Sequence, residues 1–155
     1  MRAVVQRVSK ASVSVKVNNY YSSIDKGLLI FLGIKTGDTE ADVNFVADKC
    51  VNLRLFEDAE NKMNLSLKDV NGEVLLISQF TLYGETAKGN RPSFSDAAIP
   101  GEAIPLYDSF IEHLKNILGI DKVKTGIFGA MMDVESINYG PVTVIVESKT
   151  PIRKV

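Results

Sequence analysis

Gly27-Leu28-Leu29-Ile30-Phe31-Leu32-Gly33-Ile34 runs apolar without a break between bounding glycines. A run of this length with no polar alternation reads as a strand buried on both faces, so the sheet must be covered by other layers. Its Leu28–Leu32 centre is far too short to cross a bilayer as a helix. Upstream, residues 1–8 and 11–17 read as two strands around a tight Ser9-Lys10 turn. Ala11, Val13, Val15 and Val17 alternate there with Ser12, Ser14 and Lys16, the period of a sheet with one wet face.

Downstream of the buried strand, Asp38 or Thr39 caps a helix whose Val43, Val46, Ala47, Cys50 and Val51 form one apolar stripe. Asn61 to Ser66 is polar and reads as loop, and Asn71-Gly72 is a turn signal. Gly72 to Thr81 reads as a central strand, followed by a Gly/Lys/Asn/Pro-rich loop from Gly84 to Pro100. A second helix is expected to start near Pro105, because a missing N–H in the first turn costs nothing. Tyr107, Phe110, Ile111, Leu114, Ile117 and Leu118 make its buried face, and Gly119 its C-terminal cap. A strand begins at Lys122-Val123-Lys124, and residues 130–138 and 141–148 read as strands joined across Tyr139-Gly140. No repeat, low-complexity tract or linker interrupts the pattern, so residues 1–155 are read as a single domain.

The bulk properties are those of an ordinary globular chain: 45% hydrophobic and 24% charged residues. The opening Met1-Arg2-Ala3-Val4-Val5-Gln6-Arg7 breaks its apolar residues with charge, unlike a signal peptide. A single cysteine, Cys50, makes no internal disulfide, which suits a cytoplasmic location. The formal net charge of −1 carries no global mark of nucleic-acid binding. Phosphate contacts, if made, would come from local groups: Arg7 and Lys10, Lys88 and Arg91, and the tail Arg153-Lys154.

The inventory narrows the chemistry. The only histidine, His113, sits among Glu112, Lys115 and Asn116 on the polar side of its helix, a rim position. Cys50 falls inside an apolar stripe, where a cysteine packs rather than attacks. A Ser-His-Asp or Cys-His mechanism therefore has little to draw on. One His and one Cys do not make an ordinary zinc ligand set, and no Gly-rich phosphate loop is present. Electrostatic catalysis by backbone N–H donors remains, and Ser78-Gln79-Phe80-Thr81-Leu82 is a polar strand end that can supply them. Without a nearby base the Thr81 hydroxyl is a weak nucleophile, so its expected role is orientation. The same segment also reads as an ordinary strand whose hydroxyls pair with neighbours.

Two segments, Ser78-Gln79-Phe80-Thr81-Leu82 and Asn138-Tyr139-Gly140-Pro141-Val142-Thr143, resemble in this order the signature motifs of the D-aminoacyl-tRNA deacylases. The similarity extends to Met1-Arg2-Ala3-Val4-Val5-Gln6-Arg7-Val8, Gly89-Asn90-Arg91-Pro92-Ser93-Phe94 and Thr125-Gly126-Ile127-Phe128-Gly129-Ala130-Met131-Met132, so it runs nearly end to end. It implies an α/β fold of one domain: a mixed, mostly antiparallel, barrel-like sheet with two main helices. It also implies hydrolysis of D-aminoacyl-tRNA to free D-amino acid and tRNA, a chiral proofreading step of translation. Ser78, Gln79, Phe80 and Thr81 would line the ester and the 3′ terminal adenosine. Gly140 and Pro141, joined by a cis bond, would enter the site of the other subunit of a homodimer and leave an L side chain no room. Asn138 and Thr143 would brace that turn. Met132 would stand at the pocket wall, although core filling explains it equally well.

The resemblance implies no metal and no cofactor, with water and the ribose 2′-hydroxyl carrying the attack. It implies no membrane partner, and leaves open whether glycyl-tRNA mischarged on tRNA(Ala) is also cleared. A rigid dipeptide is a physically sensible chiral filter, because backbone acceptors hold their place without rotamer entropy. The chain departs from the family pattern at Tyr139, where a small or acidic residue is more usual. It also lacks the long C-terminal extension of some animal relatives, which leaves a DNA-binding role unsupported. Two other readings stand beside this one: a same-fold editing enzyme for a small L-amino acid or alanine on mismatched tRNA, and a non-catalytic nucleic-acid-binding module. The motif residues speak against the first. The net charge and the absence of tryptophan speak against the second.

Overall fold

The computed structural model describes residues 1–148 of the chain, so the tail pair Arg153-Lys154 lies outside the described residues. The eight strands are β1 (Arg2–Val15), β2 (Tyr20–Ile24), β3 (Gly27–Gly33), β4 (Phe56–Glu57), β5 (Met63–Leu65), β6 (Glu73–Ser78), β7 (Val123–Thr125) and β8 (Asp133–Glu147). Helices α1 (Glu40–Asn52) and α2 (Pro100–Leu118) are inserted before β4 and before β7. The main sheet runs β2-β1-β3-β6-β7, and β8 adds to the other edge of β1. β1 is antiparallel to β2, β3 and β8, whereas β3–β6 and β6–β7 are parallel. Parallel neighbours need long crossovers, and α1 and α2 supply them. The result is the mixed α/β, barrel-like sheet with two main helices that the resemblance implied.

The buried strand is where the sequence puts it. Leu28, Ile30 and Leu32 face the larger core with Val43, Val46, Ala47, Cys50 and Val51 of α1 and Tyr107, Phe110 and Leu114 of α2. Leu29, on the opposite face, packs with Val8, Val13, Leu75 and Ile77 in a second cluster. Thr39 is the N-cap of α1 and forms a reciprocal capping box with Asp42, which settles the choice between Asp38 and Thr39. Gly119, at φ 104°, caps α2 and donates to the Lys115 carbonyl.

Five expectations are corrected. Ser9-Lys10 is not a hairpin turn: β1 continues through it, and register shifts between Gln6 and Val8 and between Val8 and Lys10 mark a bulge. A turn and a bulge share the same small polar residues, and only the strand alongside tells them apart. The two strands read at residues 130–138 and 141–148 are likewise one long strand, Asp133–Glu147, that pairs with β1 on both sides of Tyr139-Gly140. Met63–Leu65, read as loop, pairs with Phe56–Glu57 in a small separate sheet. The central strand stops at Ser78, and Phe80–Tyr83 is a 3-10 turn rather than strand. The second helix begins at Pro100, with Pro105 inside it. Pro100 takes the first-turn position, and Pro105 in the next turn forfeits only its own bond to the carbonyl four residues earlier.

Candidate active site

A cleft of about 670 Å³ opens at the carboxyl ends of the parallel strands. Its floor is Leu32 and Ile34 at the end of β3 and Ile77, Ser78 and Gln79 at the end of β6. Phe128 to Met132, following β7, make one wall, and Phe80, Phe94 and the start of α2 at Ile99 and Pro100 make the other. In sheets with parallel strands, this is where crevices form, because the crossover connections diverge there. The polar strand end read from the sequence therefore borders a cavity instead of a sheet neighbour.

The motif turns sharply at Gln79. The Gln79 N–H still donates to the Leu32 carbonyl at 2.8 Å, a last bond along β3. Leu82 then donates back to the Gln79 carbonyl at 3.2 Å and Gly84 to the Thr81 carbonyl at 3.0 Å. Phe80 and Thr81 begin this helical turn, and the first N–H groups of such a turn have no partner within it. The Gln79 side-chain amide donates to the Thr81 hydroxyl, which fixes the orientation of both. Phe80 packs edge-on against Phe94 at 5.2 Å between ring centroids, holding the Gly84–Pro100 loop over the turn. Opposite, Phe128 packs edge-on against Tyr107 at 5.5 Å, and the Tyr107 hydroxyl donates to the Leu76 carbonyl at 3.2 Å. Burial holds the Tyr107 hydroxyl protonated by raising its pKa.

Ser78, Gln79, Phe80 and Met132 thus come together on the cleft, with Thr81 next in the turn. Met132 also packs against the second core cluster, so its wall and core roles coincide. Asn138, Gly140, Pro141 and Thr143 are not among the cleft's lining residues. They lie exposed along β8. Across from them, Gln6 of β1 pairs with Thr143 and Val8 with Asn138, so residues 139–142 arch out of the ladder. The Gly140–Pro141 peptide at this arch is cis, and Gly140 has φ 127°, which only glycine adopts readily.

Arg7, opposite the arch, departs from expectation. Read as a phosphate contact, it is instead only 4% exposed and beyond the reach of a nucleic-acid backbone. Its Nε donates to the Tyr139 carbonyl at 2.9 Å and its Nη1 to the Leu55 carbonyl at 2.7 Å, and the guanidinium lies 4.8 Å from the centre of the Tyr139 ring. A Cβ at residue 140 would stand 2.8 Å from Arg7 Nη2 and 2.9 Å from Val142 Cγ2, so it would push the guanidinium off the arch. The other residues that sequence reasoning passed over are Phe94 and Phe128. For Phe94 the signal was available, an aromatic residue in a loop of small and polar ones; Phe128, which packs against the main core, reads equally as core filling.

Cys50 and His113 lie apart from the cleft. Cys50 is buried in α1, and desolvation pushes its thiol up to about 12. His113 meets Asp48 at 2.8 Å between α2 and α1, the rim position expected. Among the described residues no three His, Cys, Asp or Glu side chains gather as a set of metal ligands, and no helix is long and apolar enough to cross a membrane.

The cleft thus sits on a barrel-like mixed sheet whose two helices share one core layer. The chain belongs to the D-Tyr-tRNA(Tyr) deacylase family, whose pattern it matches over residues 4–147. It is 56% identical over 148 residues to the D-aminoacyl-tRNA deacylase of Halothermothrix orenii, covering 96% of this chain and 97% of that one. To the D-aminoacyl-tRNA deacylase of Flavobacterium psychrophilum it is 53% identical over 149 residues, with 96% and 98% covered. Among solved structures it is similar to one described as c-Myc DNA Unwinding Element Binding Protein, at 41% identity and a TM-score of 0.90. That match covers 97% of this chain and 100% of the other.

Proposed function

We propose that this protein hydrolyses the ester of D-aminoacyl-tRNA, releasing D-amino acid and tRNA, and spares L-aminoacyl-tRNA. The observation that carries the reading is the split of the two motifs. One borders a cleft able to take a small aminoacylated nucleoside, and the other forms an exposed, clasped arch that the same chain's cleft does not include. Residues 1–155 act as one domain, and two copies complete each site. Ile137, Tyr139 and Ile145 on β8 are each more than half exposed, which supports a covering partner along that edge. A two-fold dimer would present each arch to the other's cleft and make two equivalent sites.

In the assembled site the N–H groups of Phe80 and Thr81 receive the oxyanion as water adds to the ester carbonyl. The bond from that carbon to the ribose oxygen then breaks, and the ribose oxygen takes up a proton. The substrate's 2′-hydroxyl orients the water, while Thr81, held by Gln79, orients the ester. Phe80 and Phe128 flank the terminal adenosine, and Met132 closes the wall. The Gly140 and Pro141 carbonyls accept from the substrate ammonium, a group shared by every D-amino acid, and occupy the space an L side chain needs. Asn138 and Thr143 brace the arch. Glycyl-tRNA mischarged on tRNA(Ala) enters by the same logic, since glycine has no side chain to exclude. The substrate puts the reaction in the cytoplasm. Lys10, Lys88 and Arg91 are the exposed cations left to meet tRNA phosphates.

The test is single-turnover hydrolysis of matched D- and L-tyrosyl-tRNA, run with light scattering of the protein. Rapid loss of the D-ester alone, by a dimer, is expected. Equal rates on both enantiomers would sink chiral proofreading, and a fully active monomer would sink the shared site. A DNA-binding reading is favoured only by the description of the 41%-identical structure. Salt-dependent binding of duplex DNA with no ester hydrolysis would establish it instead.

A further inference from the structure

We propose that Arg2 is a positioning residue for the catalytic turn, acting through the Leu82 carbonyl and the Tyr83 ring. This rests on the deacylase reading of the cleft and adds to it the device that holds the Phe80 and Thr81 amides in place. The turn leaves the sheet at Ser78, so from Phe80 onward no ladder bonds fix it. Its neighbour on β3 is Gly33, where an added Cβ would stand 3.1 Å from the Gln79 oxygen and from Leu82 Cβ, and 3.3 Å from the Tyr83 ring. That bare position lets the turn settle onto the strand, but it supplies no polar partner.

Arg2 supplies one. It sits opposite Gly33 in the β1–β3 register and opposite Glu147 in the β1–β8 register. Its Nη1 donates to the Leu82 carbonyl at 2.7 Å, its Nε donates to the Glu147 carboxylate, and its guanidinium lies 5.0 Å from the Tyr83 ring centre. Lys35 reaches the same ring at 5.9 Å. The Leu82 backbone is thereby held twice, its N–H by the Gln79 carbonyl and its own carbonyl by Arg2, immediately after Phe80 and Thr81. A planar fork serves two acceptors at fixed angles, and a lysine ammonium does not reproduce it. Burial, the largest influence on the Tyr83 hydroxyl, keeps it protonated and the ring neutral beneath both cations.

Arg2→Gln, Arg2→Lys and Glu147→Gln are compared with the wild-type dimer by D-tyrosyl-tRNA kinetics and amide hydrogen exchange. Misplacing a preorganised donor lowers the chemical step rather than binding, so Arg2→Gln should cut kcat about tenfold with KM within about twofold. Arg2→Lys should recover only part of that loss. Glu147→Gln, which replaces the carboxylate partner of Arg2 with a neutral amide oxygen and so weakens the hold on the fork, should fall between Arg2→Gln and wild type. Exchange should quicken across residues 79–84 and stay unchanged in β1 and β3. An unchanged turn in Arg2→Gln, or exchange rising equally along β1, overturns the proposal. The exchange result holds whether or not the wild type cleaves D-tyrosyl-tRNA, so a failure of the deacylase reading would be seen separately. If Arg2→Gln does not fold, Glu147→Gln decides by the same criteria.

Discussion

The end of β6 and the middle of β8 carry the two halves of the proposed site, and they are built in opposite ways. β6 is central, flanked by parallel neighbours and buried from Val74 to Ile77, and its functional residues begin where the ladder ends. β8 is an edge strand with mostly exposed residues, and its motif residues interrupt a ladder that resumes on both sides. In the first case the sheet delivers backbone donors to a cavity. In the second it lifts a dipeptide away from the molecule, and a buried arginine holds it there. Rigid irregularity next to a regular strand is what both halves share.

Gly140→Ala should do the most to break this comparison, because its Cβ meets Arg7 Nη2 at 2.8 Å and the backbone has φ 127°. A loss of D-ester hydrolysis of about a hundredfold is expected from a misplaced site group, with the melting temperature changed far less. A D/L activity ratio unchanged from wild type would sever the arch from selectivity. Next comes Arg7→Met, which keeps bulk but strands the Leu55 and Tyr139 carbonyls. Two bonds to a charged donor are lost, so denaturant unfolding should show about 2–4 kcal/mol less stability. The arch should loosen as well, and weaker discrimination should accompany the weaker fold. The comparison would be sharpened if selectivity fell more than the rate.

Thr81→Ala tests the other half. If the hydroxyl only orients the ester, activity should fall about tenfold without vanishing, and intact-protein mass spectrometry during turnover should show no aminoacyl adduct. An adduct trapped on Thr81 in the wild type would replace the backbone mechanism with covalent catalysis. The smallest effects belong to groups away from both halves. His113→Ala and added chelator should leave the rate within about twofold, as expected of parts outside the chemistry.

Cys50→Ala should also keep activity, at a cavity cost of about 1 kcal/mol. It carries a pH signature. The folded thiol titrates near 12 against 9.0 for a free one, so the buried neutral form contributes stability at lower pH and that contribution is lost as pH rises from 9.0 towards 12. Urea midpoints should therefore converge for Cys50→Ala and wild type just above pH 9 and then cross, because a shift of this size outweighs the cavity cost. A constant gap would show that the thiol's burial is not what separates them.

Much of the fold is legible locally. The β3 run, the α1 stripe with Thr39 and Asp42 at its head, and the α2 face need only the periods of strand and helix to be read. The corrected elements share one trait: their identity depends on a distant partner. Ser9-Lys10 and Asn138–Val142 have the composition of turns, and each became an irregularity inside a long strand because β1 and β8 pair along their whole lengths. Met63–Leu65 is strand only because Phe56–Glu57 is beside it.

The same division runs through the site. The sequence by itself determined the groups on offer: a polar strand end, a Gly-Pro pair, one peripheral histidine, one packed cysteine and the family to which the chain belongs. Tertiary structure alone decided that Ser78–Thr81 turn into a cleft shared with Phe94 and Phe128, that Arg7 is buried under the arch, and that Arg2 reaches Leu82. A residue's type sets which bonds it can make, and type is written locally. Which bonds a guanidinium does make depends on carbonyls brought to it from 132 residues away in one case and 80 in the other, and only the closed sheet brings them.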